Sequence, residues 1–374
     1  MQRREFLLSA ALAPFLSLKA DAAPAGAKGE WRNKVSGVAY RQLGRTNFMI
    51  SEIVMGGNTI SPKNFDHVLA ALDMGLNYLD TAPAYGNGQS ELGFAEVIKR
   101  RKRDSFFLNS KVSLWDINRN KLYADIFASL DETEQKRLRG LALEEIARRK
   151  ADAPDYFINY FNGQRQELDG AALANVMAKQ YGHKIDRDKN YKQLILDSVD
   201  KSLKALGTDH LDLLMCPHGG NTPYEILNHP EIFEAFETLK KAGKVRHLGL
   251  SSHTDPGGLL EAAVKANVYS AAMVAFNMVN APYVAPAIAA AKKAGLGVIS
   301  MKTARPFNFR PPRTTPEEHM AALNKAIPGD LSPMRKAYIW NLKNPNLSAA
   351  ISEMVNMDLV KENVPLGFAK PKAA

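Results

Sequence analysis

Eight times between residues 52 and 363 a short apolar run gives way to a segment whose apolar residues recur at three and four. Runs of the first kind are strands covered on both faces; segments of the second kind are helices with one packed side. The strands read as 52–56, 76–80, 106–112, 211–216, 245–251, 271–276, 297–302 and 347–352. The intervening helices read as 65–74, 90–101, 191–206, 232–241, 258–265, 284–293 and 334–342, with a last short one ending at Asn363. Gly75, Gly207, Gly243 and Gly295 fall just past helices, where a left-handed C-terminal cap is wanted. Eight such pairs predict an α/β fold of the (β/α)8 TIM-barrel type rather than an open sheet. The chain lacks a GxGxxG fingerprint, which argues against a Rossmann domain. Ahead of the barrel, residues 38–51 hold two alternating runs around Gly44-Arg-Thr-Asn47, an N-terminal hairpin.

In such a barrel, chemistry is assembled from residues at the C-terminal strand ends. Strand two ends in the carboxylate of Asp80, with Tyr85 in the loop behind it. Strand three ends in Lys111, and strand four leads to His218. Between strands three and four the alternation is interrupted by a large, mainly helical insertion, residues 113–190, with helices at 122–130, 138–149 and 171–180. Residues 116–190 carry thirteen acidic and thirteen basic side chains, so the segment is no charged tether. It also holds Tyr123, Phe127, Tyr156, Phe157, Tyr160 and Phe161, with Trp115 just before it, which suits packing or sugar stacking better than disorder. Because it leaves strand three at the catalytic face, it is expected to act as a lid.

The order and local contexts of Asp80, Tyr85, Lys111 and His218 resemble those of the aldo-keto reductases. That resemblance implies a nicotinamide-dependent interconversion of a carbonyl and an alcohol on a small polar, sugar-like molecule. Tyr85 would be the general acid/base, Lys111 would lower its pKa, Asp80 would hold the lysine, and His218 would orient the substrate carbonyl. It also implies cofactor contacts at Gly57, Asn58, Ser251, Ser252, Met301, Lys302, Met354, Glu362 and Asn363. Ser252 stands where the family has asparagine, Met273 where it often has glutamine, and Met301 where many members have a stacking aromatic. Glu353 and Leu359 replace the basic residues that grip a 2′-phosphate, which favours NAD over NADP. The alternative is a non-catalytic barrel that binds a nucleotide or a partner protein.

The first residues point elsewhere. Arg3-Arg4 precede an apolar run through Leu18 and the small residues around 20–27. This resembles a twin-arginine export signal over 1–27, followed by a polar linker at 28–36, the barrel over 37–366 and a tail at 367–374. The run is too short for a bilayer span, so no stable membrane insertion is expected after cleavage. The expected destination is the periplasm, reached through the twin-arginine translocase with the cofactor already loaded and tightly held. One cysteine, Cys216, permits no intrachain disulfide and argues against an iron–sulfur cluster; no metal is expected. Net charge is +10, and Arg3, Arg4 and Lys19 against Glu5 and Asp21 account for only one of those charges. No basic run is interleaved with aromatics, so no nucleic-acid partner is expected.

Overall fold

In a computed structural model, residues 29–309 and 313–368 are described. The expected export signal and most of the tail lie outside them. Residues 29–36, expected as linker, are ordered into the bottom of the molecule instead. There β1 (Glu30–Trp31) pairs parallel with β3 (Phe48–Ser51), which pairs antiparallel with β2 (Tyr40–Gln42) to form the hairpin. Charge explains why this stretch docks. Asp212, fully enclosed, accepts from Arg32 at 3.2 Å, Arg103 at 2.8 Å and Arg246 at 2.7 Å, and Arg246 also reaches Glu30 at 2.6 Å. A buried carboxylate needs such partners; Arg32 of this stretch is one of the three arginines, and Glu30 braces another, Arg246.

Eight strands form one closed, all-parallel barrel: β4 (Ile53–Gly56), β5 (Tyr78–Asp80), β6 (Phe107–Lys111), β7 (Leu211–Met215), β8 (Val245–Ser252), β9 (Ala271–Ala275), β10 (Gly297–Met301) and β11 (Ala349–Ser352). The sheet closes by pairing of β11 with β4. Each strand lies within an expected run except β8, which runs one residue further, to Ser252. Inside the barrel sit Tyr78, Phe107, Leu213, Met215, Met273, Ile299 and Met301. From below, Phe48 enters and stacks on Phe107 at 4.2 Å. Burying one such ring contributes roughly 1.5–3 kcal/mol, so the hairpin is fastened by its own hydrophobic face.

Around the sheet run α1 (Asp66–Asp73), α2 (Gln89–Arg100), α3 (Trp115–Ala128), α4 (Glu132–Arg149), α5 (Gln164–Tyr181) and α6 (Leu194–Leu206), then α7 (Pro223–Leu227), α8 (Pro230–Lys241), α9 (Pro256–Ala266) and α10 (Ala281–Lys293). The last three are α11 (Glu317–Ala326), α12 (Pro333–Leu342) and α13 (Met357–Asn363). Only α7 and α11 have no counterpart in the sequence reading. The first is five residues long, and the second carries few buried side chains, so neither shows a clear apolar stripe.

The insertion is α3, α4 and α5, packed on a core of their own that includes Tyr123, Phe127, Leu138, Ile146, Leu168 and Met177. Asp131 caps α4 by accepting from Glu134 N at 2.8 Å. The unit is held to the loops that follow β7, β8 and β9. Asn175 donates to Thr222 at 2.9 Å, Tyr156 bonds Asp255, and Asn277 donates to Tyr160 Oη at 2.8 Å. It therefore sits at the mouth of the barrel, on the side of those three strands.

Candidate active site

At the mouth, the residues at the ends of β5 and β6 meet. Lys111 Nζ lies 2.5 Å from Asp80 Oδ1 and 2.9 Å from Thr81 O, and both charged groups are almost fully enclosed. Asn109 Nδ2 donates to the same Asp80 oxygen at 2.5 Å. Asn109 lies two residues before Lys111 and so shares its face. That spacing is the signal by which it was findable, and the sequence reading passed over it. Tyr85 opens a turn in which Gly86, Asn87 and Gly88 are all left-handed, a conformation glycine and asparagine adopt at low cost. The turn lets the chain enter α2 while leaving the phenol over the barrel, with Lys111 Nζ 4.6 Å from the ring centroid. Gly57 underlies the group: a Cβ there would fall 2.3 Å from Asp80 O.

His218 closes the group, its ring edge-on to Tyr85 with centroids 6.0 Å apart. Its Nδ1 is 3.0 Å from Ser113 Oγ, which leaves Nε2 for a ligand. Ser113 also accepts from Ala84 N at 3.2 Å, tying the loops after β5, β6 and β7 together.

One electrostatic expectation is corrected. The Tyr85 phenol is not lowered by Lys111; it is held well above its ordinary value by burial first, then by Asp80, with which it also hydrogen-bonds, and by Glu353. Lys111 Nζ stands 4.6 Å from the ring centroid, and its charge is already matched by Asp80. Burial pulls Lys111 down from its ordinary value against the pull of Asp80. Burial, with the nearby lysine, brings His218 down to about 3, so its imidazole is neutral at neutral pH.

Asp80, Tyr85 and His218 open on one cavity of about 650 Å³, within the range of small-molecule sites. Gly57, Asn58, Met301, Lys302, Glu353, Glu362 and Asn363 line it too. Lys111 lies behind Tyr85. Three of the expected cofactor contacts do not reach the wall. Ser251 Oγ accepts from Gly219 N at 3.0 Å and Ser252 Oγ donates to Gly220 O at 2.7 Å, so both oxygens are turned to the loop of His218. Met354 is enclosed in the outer core between sheet and helices. The insertion contributes Tyr160 and Phe161 to the wall. It thus shapes the side of β8 and β9, and Arg313, after β10, donates to Asn159 O of the same segment; the other end of the lining belongs to α12 and α13.

That other end fits a dinucleotide. Arg335 Nε is enclosed at the wall without a partner, and Lys302 and Arg305 stand on the same wall. The N-terminus of α12, capped by Ser332, opens there. Unpaired cationic donors beside a helix N-terminus suit a diphosphate. Arg335 and Ser332 were missed from the sequence because nothing local distinguishes them from an ordinary helix start.

A closed parallel barrel whose strand ends gather a carboxylate, a lysine, a tyrosine and a histidine over such a cavity defines a barrel of the oxidoreductase kind. The profile of the aldo/keto reductase family matches residues 52–147 and 157–369, and the chain belongs to that family. The break in the match falls between α4 and α5.

The chain is similar to the uncharacterized oxidoreductase YqkF of Bacillus subtilis, 26% identical over 236 residues, covering 62% of this chain and 55% of that one. It is also similar to the aldo-keto reductase YhdN of the same organism, 35% identical over 218 residues, covering 58% and 45%. It thus spans about half the length of these curated relatives. Its fold resembles that of the aldo-keto reductase AKR11C1 of Bacillus halodurans in its holo form, with a TM-score of 0.59, 21% identity and coverage of 90% and 93%.

Proposed function

We propose that the protein interconverts a carbonyl and an alcohol on a small polar substrate, using a nicotinamide dinucleotide. The observation that carries this reading is the joint opening of Tyr85 and His218 onto one cavity, backed by the enclosed Asp80–Lys111 pair. A reduced nicotinamide, when bound, supplies a hydride. The residues of the chain supply the rest. His218, neutral, offers Nε2 to the substrate oxygen and orients it. Tyr85 keeps its proton until an alkoxide develops, and an alkoxide is a stronger base than a phenolate, so the transfer runs downhill. Lys111 then faces the phenolate that remains. Glu353 at the cavity wall, bonded by Asn58 at 3.2 Å, disfavours an added phosphate and supports NAD over NADP. Parallel assays of carbonyl reduction with NADH and NADPH test this reading. Oxidation of neither cofactor by any aldehyde or ketone in a broad panel would refute it.

The pH dependence follows from the same environment. Reduction is expected to be flat from about pH 5 to pH 8, because His218 is already neutral there and Tyr85 keeps its proton. The fall comes on the alkaline side, where Lys111, lowered from its ordinary value, loses its charge before the raised Tyr85 loses its proton. A limb near the ordinary histidine value in kcat would contradict this assignment.

We further propose export by the twin-arginine route with the dinucleotide loaded beforehand, supported by Arg3-Arg4 and the apolar run behind them. Replacing both arginines by lysine is expected to leave unprocessed protein in the cytoplasm. Mature periplasmic protein from that variant would count against it.

A further inference from the structure

The cavity has a second imidazole that the proton chemistry does not use. Residues 251–254, at the C-terminal end of β8, are four polar side chains in a row. Ser251 and Ser252 turn their oxygens to Gly219 N and Gly220 O, and Thr254 is enclosed away from the cavity. Only His253 faces the wall, where it stands with Tyr85, His218, Tyr160 and Phe161. Its Nδ1 is enclosed and has no partner, which leaves Nε2 as the nitrogen able to meet a ligand. Burial and the nearby charges of Lys302 and Lys111 keep the ring well below its ordinary value, so it is neutral.

The ring is also fixed in place, and by the insertion. Phe161 lies edge-on to it with centroids 5.4 Å apart, and Tyr160 lies 6.5 Å away. Tyr160 in turn is held by Asn277, whose Nδ2 donates to the phenol at 2.8 Å. An enclosed polar group without a partner is costly, and a rigid one is suited to selecting rather than adapting. A neutral imidazole is a poor anion receptor but a good partner for a hydroxyl.

We propose that His253 is a specificity residue that binds a hydroxyl on the carbon next to the reacting carbonyl, so that the preferred substrates are α-hydroxy ketones and aldehydes. This rests on the reductase reading above. His218 takes the carbonyl oxygen, His253 takes the neighbouring hydroxyl, and the rings of Tyr160 and Phe161 bound the carbon chain. The hydroxyl is bound, not transformed.

The test compares hydroxyacetone with butanone, its near-isostere without the hydroxyl, in wild type, His253→Phe and His253→Gln; phenanthrenequinone serves as a reference substrate. The intrinsic reactivities of the two ketones cancel when the kcat/KM ratio is compared between enzymes. The ratio is expected to fall by about tenfold in His253→Phe and to be partly restored in His253→Gln, whose amide can still bond a hydroxyl. Should His253→Phe not fold, His253→Leu takes its place with the same expectation. An unchanged ratio overturns the inference. A wild type that reduces phenanthrenequinone but neither ketone also overturns it and leaves the reductase reading standing. A wild type that reduces none of the three overturns both.

Discussion

Tyr85→Phe is expected to lower kcat for carbonyl reduction by about a thousandfold, the middle of the range for loss of a positioned general acid. That corresponds to about 4 kcal/mol of barrier. Dinucleotide affinity and thermal stability are expected to stay within error, because the cations proposed to hold the diphosphate stand at the other end of the cavity. The ring itself stays, so its edge contact with His218 and its place over Lys111 are kept. What is lost is the hydroxyl that stands beside His218 and is backed by Asp80 and Lys111. Stopped-flow single turnovers with NADH separate chemistry from release. A Tyr85→Phe enzyme retaining more than a tenth of the wild-type chemical step would remove Tyr85 from the proposed role.

The largest effect on stability is expected at Arg119. Its guanidinium, almost fully enclosed, pairs with Glu225 at 2.9 Å. Glu225 also closes the capping box of α7, accepting from Asn221 N and Thr222 N at 3.0 Å each. Asp116 lies beside it and hydrogen-bonds with Glu225; burial and that neighbouring carboxylate push Asp116 well above the ordinary range, with Arg119 opposing. Arg119→Met leaves two enclosed carboxyl groups without the guanidinium that pairs with them, a change that costs roughly 3–5 kcal/mol.

The deficit should depend on pH in a definite sense. A carboxyl whose folded pKa lies above its unfolded value contributes stability that is present at low pH and lost as pH rises through the folded value. Removing Arg119 removes the one charge that opposes the rise. Thermal denaturation is therefore expected to show a smaller deficit at about pH 5 than at about pH 8. An equal deficit at both would mean that packing, not charge, is what Arg119 supplies.

Most of the barrel was legible because buried parallel strands are short apolar runs, and a run such as 211–216 admits few other structures. The four residues proposed for chemistry were legible because each stands at or just after a strand end, where position along the chain fixes position at the mouth. The dinucleotide wall was less so. Ser251 and Ser252 have the right type and place, yet their hydroxyls turn to the backbone of the next loop, a competition that no spacing reveals. Arg335 reaches the cavity only because α12 begins beside it. Residues 29–36 looked like linker since Glu30 and Arg32 find their partners at positions 212 and 246, far away in sequence. The aromatics of the insertion marked it as packed, but not which wall Tyr160 and Phe161 would form.

The division of the cavity wall has a consequence for how this chain can diverge. Tyr160 and Phe161 belong to the segment between α4 and α5 and lie outside both the strands and the inner core of α3, α4 and α5. Asp80, Lys111 and Asn109, by contrast, are locked into adjacent strands. Substitutions in the one place redraw which molecules are admitted, while those in the other strike at proton delivery. Descendants of this chain can therefore drift in diet at little risk to their chemistry. Changes of substrate among near relatives should accumulate around Tyr160 and Phe161 long before they touch the strand ends.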